Sequence, residues 1–147
     1  MGVLPGSVLF ACTSNIIRSP MAEAIMKHLF GHRIYSESVG IRIGEPDPFV
    51  EQVMDEIGID LGKHRPRTFE DLEDSSFDLV ITLSPEAQHR AVELTRTMAC
   101  EVEFWNTFDP SLIHGSRETV LDAYRGVRDG LLARIKERFD PGPRGTV

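Results

Sequence analysis

Apolar positions along the chain follow two rhythms. Residues 8–11 (Val-Leu-Phe-Ala) and 79–83 (Leu-Val-Ile-Thr-Leu) are short, almost unbroken apolar runs, as in strands buried on both faces. Elsewhere apolar residues recur at intervals of three and four, the spacing of a helix with one face on a core. The first such stretch, residues 21–31, puts Met21, Ala24, Ile25 and Leu29 on one side. Ser19 is suited to cap it and Pro20 to open it. Residues 34–39 alternate as a second strand. From Pro48 a stripe of Val50, Val53, Met54 and Ile57 predicts a helix stopped by Gly58. Ser84-Pro85-Glu86 repeats the cap-and-proline start, predicting a helix to about Met98. Residues 101–104 form a short fourth strand. A long last helix, 117–139, carries Val120, Tyr124, Val127, Leu131, Ile135 and Phe139 on one face.

Between these elements, residues 40–48 and 105–115 read as loops and 60–68 as a polar connection. Residues 69–72 read as a helical turn and 140–147 as a flexible tail. Strands alternating with helices predict an α/β fold in three layers, a four-stranded parallel sheet with helices on both faces. In such a sheet the functional site lies beyond the carboxyl ends of the strands. No repeat and no dividing linker interrupts the chain, so residues 1–147 are expected to form a single domain with its core at about 7–139.

Composition narrows the function. The net charge of −7, without a long basic run, argues against nucleic acid or an acidic membrane as partner. Two cysteines do not make a disulfide framework, and no apolar run is long enough for a membrane span or a signal segment, which points to the cytoplasm. Arg42, Lys63, His64, Arg65 and Arg67 gather near the predicted loops, either as solvated surface or as the lining of a cleft for an anionic substrate.

The candidate chemistry sits between the first strand and the first helix. There the chain reads Cys12-Thr13-Ser14-Asn15-Ile16-Ile17-Arg18-Ser19-Pro20. Backbone N–H groups of a loop feeding a helix N-terminus converge on one point and make it electropositive. The same field favours the thiolate of Cys12, the nucleophilic form. Arg18, six positions on, adds a planar fork for two oxygens of an oxyanion. The spacing is the Cys-x5-Arg loop of cysteine-based phosphatases. Cysteine is also a common buried hydrophobe after a core strand, so the strand before and the helix after are what lend the motif weight.

In these residues the chain resembles the low-molecular-weight protein tyrosine phosphatases, whose loop reads Cys-x-Gly-Asn-x-Cys-Arg-Ser-Pro before a helix beginning Met-Ala-Glu-Ala. Cys12, Asn15, Arg18, Ser19, Pro20 and residues 21–24 match; Ser14 replaces the glycine and Ile17 the second cysteine. The resemblance covers about residues 7–139 and implies the strand order 2-1-3-4. It implies Cys12 as nucleophile, Arg18 as oxyanion clamp, and Thr13, Ser14, Asn15, Ile16, Ile17 and Ser19 as the phosphate-binding loop. It implies Asp109, in an Asp-Pro pair before the last helix, as general acid, and Ser38 and His64 as supports for Asn15. Asp47-Pro48 is the rival acid by composition alone, although it precedes a helix as a cap does. Ser19 is assigned two roles, cap and thiolate partner, that compete for one hydroxyl.

Where the family follows Asp-Pro with two tyrosines, this chain has Ser111-Leu112, leaving Phe49, Trp105 or Phe108 as candidate ring partners. The implied activity is phosphomonoester hydrolysis of the protein-tyrosine-phosphatase type, through a cysteinyl phosphate. The implied substrate is a phosphorylated protein or a small aryl phosphate, with no metal or other cofactor. Two alternatives stand beside it. A thioredoxin-coupled arsenate reductase uses the same loop but needs further cysteines after the third strand, where residues 84–89 hold none. A non-catalytic phosphate-binding or partner-binding module is the other.

Overall fold

The computed structural model describes residues 4–61, 63–73 and 76–140; the predicted tail from residue 141 onward lies outside the described residues. Four strands, β1 (Ser7–Cys12), β2 (Tyr35–Gly40), β3 (Leu79–Thr82) and β4 (Glu101–Phe104), alternate with four helices. The helices are α1 (Arg18–Phe30), α2 (Pro48–Asp55), α3 (Pro85–Leu94) and α4 (Arg117–Phe139). All strand pairs are parallel, in the order β2-β1-β3-β4.

The central strand shows why the fold has three layers. Side chains alternate across a strand, and β1 is buried on both sides. Val8, Phe10 and Cys12 join a core with α1, α2 and α4 residues such as Met21, Ile25, Val53, Tyr124 and Ile135. Leu9 and Ala11 join a second core with Val80, Phe69, Phe77, Ala87 and Ala91, the last two from α3. Each face of the sheet therefore buries its own apolar layer, which is what the unbroken run at residues 8–11 requires.

Two helix boundaries differ from the sequence pattern. α1 begins at Arg18 rather than after Ser19, with Ile17 at its N-cap position and no side-chain cap. α3 ends at Leu94, short of Met98. There the Thr95 and Thr97 hydroxyls donate to the carbonyls of Val92 and Leu94, a local pairing that competes with further helix. Gly58, after α2, sits at φ +76°, the left-handed conformation expected of a helix stop. Among the described residues no helix is long and apolar enough to cross a membrane.

Candidate active site

The register of β1 and β2 sets the site. Cys12 pairs with Gly40 at the carboxyl ends of the two strands, beside the point between β1 and β3 where the strand order reverses. From there the segment between Cys12 and Arg18 turns into the N-terminus of α1. Its carbonyls are held from behind. Ile41 N–H donates to the carbonyls of Cys12 (3.2 Å) and Thr13 (2.8 Å), and Arg42 N–H to that of Thr13 (3.0 Å). Gly44 N–H donates to the carbonyl of Ser14 (3.2 Å), and His64 Nε2 meets that of Asn15 (3.0 Å). In a trans peptide the N–H points opposite the C=O. Carbonyls tied to the scaffold thus turn the N–H groups of residues 13–16 toward the other side, the mouth of the loop.

Close packing makes this possible. A Cβ on Gly40 would lie 2.7 Å from Asn15 N and 2.8 Å from both Ser14 C and Arg42 O, all backbone atoms. A Cβ on Gly44 would meet the Ser14 and Ile16 side chains at 2.9 and 3.0 Å. These two glycines belong to the site, although in the sequence they fall in a loop with no chemistry of its own. Their signal was the Gly-rich composition of residues 40–48, which marks close backbone approach as readily as a turn.

Asn15 is the buried pivot. It is the only non-glycine residue with positive φ (+55°) among those described, and it is fully buried. Its Nδ2 donates to Ser19 Oγ and Ser38 Oγ, both at 2.9 Å, while its Oδ1 accepts the Arg67 N–H at 2.8 Å. Asparagine tolerates the left-handed region best among side-chain-bearing residues, and three hydrogen bonds offset the strain. Ser38 and His64 thus both reach Asn15, one through its side chain and one through its carbonyl. Ser19 resolves its competing roles in favour of sulfur: Oγ lies 2.9 Å from Cys12 Sγ, and Ser19 N–H donates to the same sulfur at 3.4 Å.

A cavity of about 170 Å³ opens over the sulfur, lined by Cys12, Ile16, Ile17, Arg18, Asp109 and Ser111 together with Ser14, Gly44, Glu45 and Asp47. Arg18 is nearly buried; its Nη1 donates to the Thr107 carbonyl at 3.0 Å, and Nη2 lies 4.0 Å from Asp109 Oδ2. Asp109 opens the 3-10 turn Pro110–Leu112, and its Oδ1 accepts from Ser111 N–H (3.0 Å) and Oγ (2.7 Å). Ser111 orients the carboxylate and aims Oδ2 at the arginine. Thr13 turns to α3, with its hydroxyl 3.1 Å from Ser84 Oγ.

The rival acid is spoken for. Asp47 Oδ1 caps α2 through Phe49 N–H (3.0 Å), and Oδ2 accepts from the Tyr124 hydroxyl at 2.5 Å. Burial first, then this carboxylate, pushes the Tyr124 phenol well above its ordinary range. The candidate ring partners are elsewhere. Trp105 is buried edge-to-face on Phe10, Phe49 packs on Tyr124, and the exposed Phe108 lines a separate groove along α4. No aromatic side chain is among the described residues lining the cavity over the sulfur. The basic group also differs from a substrate cleft: Arg42 pairs with Glu86. Lys63, His64, Arg65 and Arg67 line a separate cavity of about 610 Å³ behind the loop, in which Glu23 and Lys27 also lie.

Known proteins resemble the chain over most of its length. A protein called low molecular weight protein-tyrosine-phosphatase in Streptomyces coelicolor is 36% identical, over 84% of this chain and 80% of its own. The arsenate reductase of Bacillus subtilis is 29% identical, over 92% of this chain and 96% of its own. The crystal structure of a low molecular weight protein tyrosine phosphatase from T. tengcongensis superposes with a TM-score of 0.72 at 26% identity, covering 89% of this chain and 95% of that one. The family model for low molecular weight phosphotyrosine protein phosphatase matches residues 7–140, nearly the whole described chain, and to that family of cysteine-based phosphatases and related enzymes the protein belongs.

Proposed function

We propose that the protein hydrolyses phosphomonoesters of the protein-tyrosine-phosphatase type through a cysteinyl phosphate. One observation carries the reading: sulfur, guanidinium and carboxylate share the walls of one small cavity, with Arg18 and Asp109 4.0 Å apart. Phosphate enters with its equatorial oxygens on the loop N–H groups and the Arg18 fork. The Cys12 thiolate attacks phosphorus from the side opposite the ester oxygen. As the P–O bond breaks, Asp109 Oδ2 gives its proton to the departing alcohol. Asp109 then takes a proton from water, which attacks the cysteinyl phosphate; inorganic phosphate leaves and the thiolate returns. No metal or organic cofactor enters any step.

The walls beside the sulfur bear on substrate. Ile16 and Ile17 present aliphatic surface to the leaving group in place of stacking rings, so an aryl ester such as phosphotyrosine on a protein is bound by alkyl contact. Hydrolysis of an aryl phosphate tests the proposal. Cys12→Ser is expected to abolish turnover while retaining oxyanion binding. Asp109→Asn is expected to slow alkyl phosphates about 10²- to 10⁴-fold and activated aryl phosphates far less. Turnover persisting without Cys12 overturns the assignment.

The arsenate reductase relatives favour a second reading, thiol-coupled reduction of arsenate at the same loop. That chemistry hands a disulfide outward through further thiols. This chain has two cysteines, and the second, Cys100, precedes β4, while the start of α3 after β3 reads Ser84-Pro85-Glu86-Ala87-Gln88-His89. Arsenate-dependent thiol consumption that requires Cys100 would establish it.

A further inference from the structure

Behind the loop, a glutamate outside the reacting groups is joined to the sulfur by a continuous set of hydrogen bonds. Ser38 Oγ lies 2.5 Å from Glu23 Oε1 and 2.9 Å from Asn15 Nδ2. The hydroxyl has one hydrogen. A carboxylate can only accept and an amide NH₂ can only donate, so Ser38 donates to Glu23 and accepts from Asn15. The orientation of the amide is set independently, because the Arg67 N–H must face Oδ1. The second Nδ2 hydrogen then goes to Ser19 Oγ, which spends an acceptor site there and keeps its own hydrogen for a neighbour. That neighbour is Cys12 Sγ at 2.9 Å or, more distantly, the Val39 carbonyl at 3.3 Å.

We propose that Glu23 is a positioning residue for the nucleophile: by taking the Ser38 hydrogen it leaves only lone pairs facing the Asn15 amide, which donates from one nitrogen to both Ser38 and Ser19 and so holds Ser19 Oγ where its own hydrogen reaches sulfur. Asn15, Ser19 and Ser38 are fully buried, so water does not substitute for a missing member without an opening of the site. A buried network in which every member is paired holds its side chains in one arrangement. Glu23 itself is 12% exposed at the larger cavity, and its Oε2 is held by Lys27 Nζ at 2.5 Å, one turn along α1. Lys27 offsets the charge of the carboxylate. Other charges near the network are Arg67, whose Nη2 reaches the Ser38 carbonyl at 3.4 Å and pairs with Glu37, and His64 on the Asn15 carbonyl.

The sign of the effect separates this role from simple electrostatics. Removing a nearby negative charge makes a thiolate easier to form, whereas removing the anchor of Ser38 loosens Asn15 and with it the Ser19 donor on sulfur, which makes it harder. The proposal rests on Cys12 being the reactive thiol. The test therefore reads that thiol directly, by its rate of alkylation with iodoacetamide at pH 6, so a failure of the hydrolase assignment is seen separately in turnover. Burial pushes the Cys100 thiol up, and a Cys100→Ser background removes its signal altogether.

Glu23→Ala is expected to slow Cys12 alkylation about three- to tenfold, and Glu23→Gln, which keeps an acceptor, by no more than about twofold. Ser38→Ala should match Glu23→Ala, and the double variant should be no slower than Ser38→Ala alone. Glu23→Met, which fills the same space without an acceptor, replaces the alanine variant if that fails to fold. Alkylation unchanged or faster in Glu23→Ala or Glu23→Met, or losses that multiply in the double variant, overturn the proposal. A lower melting temperature with unchanged alkylation overturns it as well, because packing alone would then explain the residue.

Discussion

Ser19 shows how one atom decides between two readings of the same motif. A serine before a proline at a helix start is the local signature of a cap, and the signature is correct at Ser84, whose hydroxyl accepts from Ala87 N–H. At Ser19 the same dipeptide lies one residue inside α1, and its hydroxyl turns to sulfur. Nothing local separates the two serines; the difference is the cysteine seven positions earlier, brought back by the loop. A cap contributes to stability, whereas a donor on the thiolate contributes to rate. Ser19→Ala is therefore expected to lower kcat about ten- to a hundredfold for a good leaving group, with a small loss of stability. Paired measurement of kcat and the urea midpoint checks it; a loss confined to the midpoint would return Ser19 to the role of cap.

The loop depends on its backing segment, residues 40–44, as much as on its own sequence. Gly40→Ala would drive a methyl group into three backbone atoms that have nowhere to move, so the loop must shift. Loss of activity is expected together with about 1–3 kcal/mol of stability. Gly126→Ala is the control: it lies in the interior of α4 with no atom near the added methyl, and should raise stability by about 0.5–1 kcal/mol without touching rate. Chemical denaturation and aryl phosphate turnover of the two variants distinguish them.

This contrast also shows what the chain discloses by itself. The strands, the helix faces and the Cys-x5-Arg loop follow from spacing within ten or so residues, and they were readable. Leu121 on α4 escaped the stripe, as did the contact of Tyr124 with Asp47, because each depends on what packs opposite. The backing role of Gly40 depends likewise on the Cys12–Gly40 register across two strands. The placement of Lys63, Arg65 and Arg67 behind the loop rather than before it also follows from how the chain returns in space.

The loop is finally only as steady as the fastening of α2 to α4, since the segment leading into α2 both backs Ser14 and forms part of the cavity wall. Polar contacts at both ends and the middle of α2 contribute to that fastening, beside the packing of Phe49 on Tyr124. Tyr124 holds Asp47 at the start of α2, and Arg117 donates to Gln52 Oε1 at 2.7 Å. At the far end the buried Arg128 donates to the Val53 carbonyl (2.7 Å) and, with Arg125, to Glu56. An arginine on a terminal helix carbonyl satisfies a group the helix cannot pair by itself. Glu56 is the titrating member of this group. Its hydrogen bonds from Arg125 first, then Arg128, hold its carboxyl down at about 2, against an ordinary value of 4.5.

A carboxyl depressed on folding adds stability in its ionised state. That contribution is fully present above pH 4.5, fades as the pH falls below it, and is gone only below pH 2, once folded and unfolded chains are both protonated at this group. The difference in urea midpoint between the protein and Glu56→Gln should therefore be constant from pH 7 down to about 4.5 and close progressively toward pH 2. A difference that stayed level over the whole range would mean that the carboxylate charge does no fastening. The Tyr124–Asp47 contact, the hydrogen bonds to Val53 and Gln52 and the apolar packing of α2 on α4 would then carry the joint, and with it the support of the Cys12–Arg18 loop.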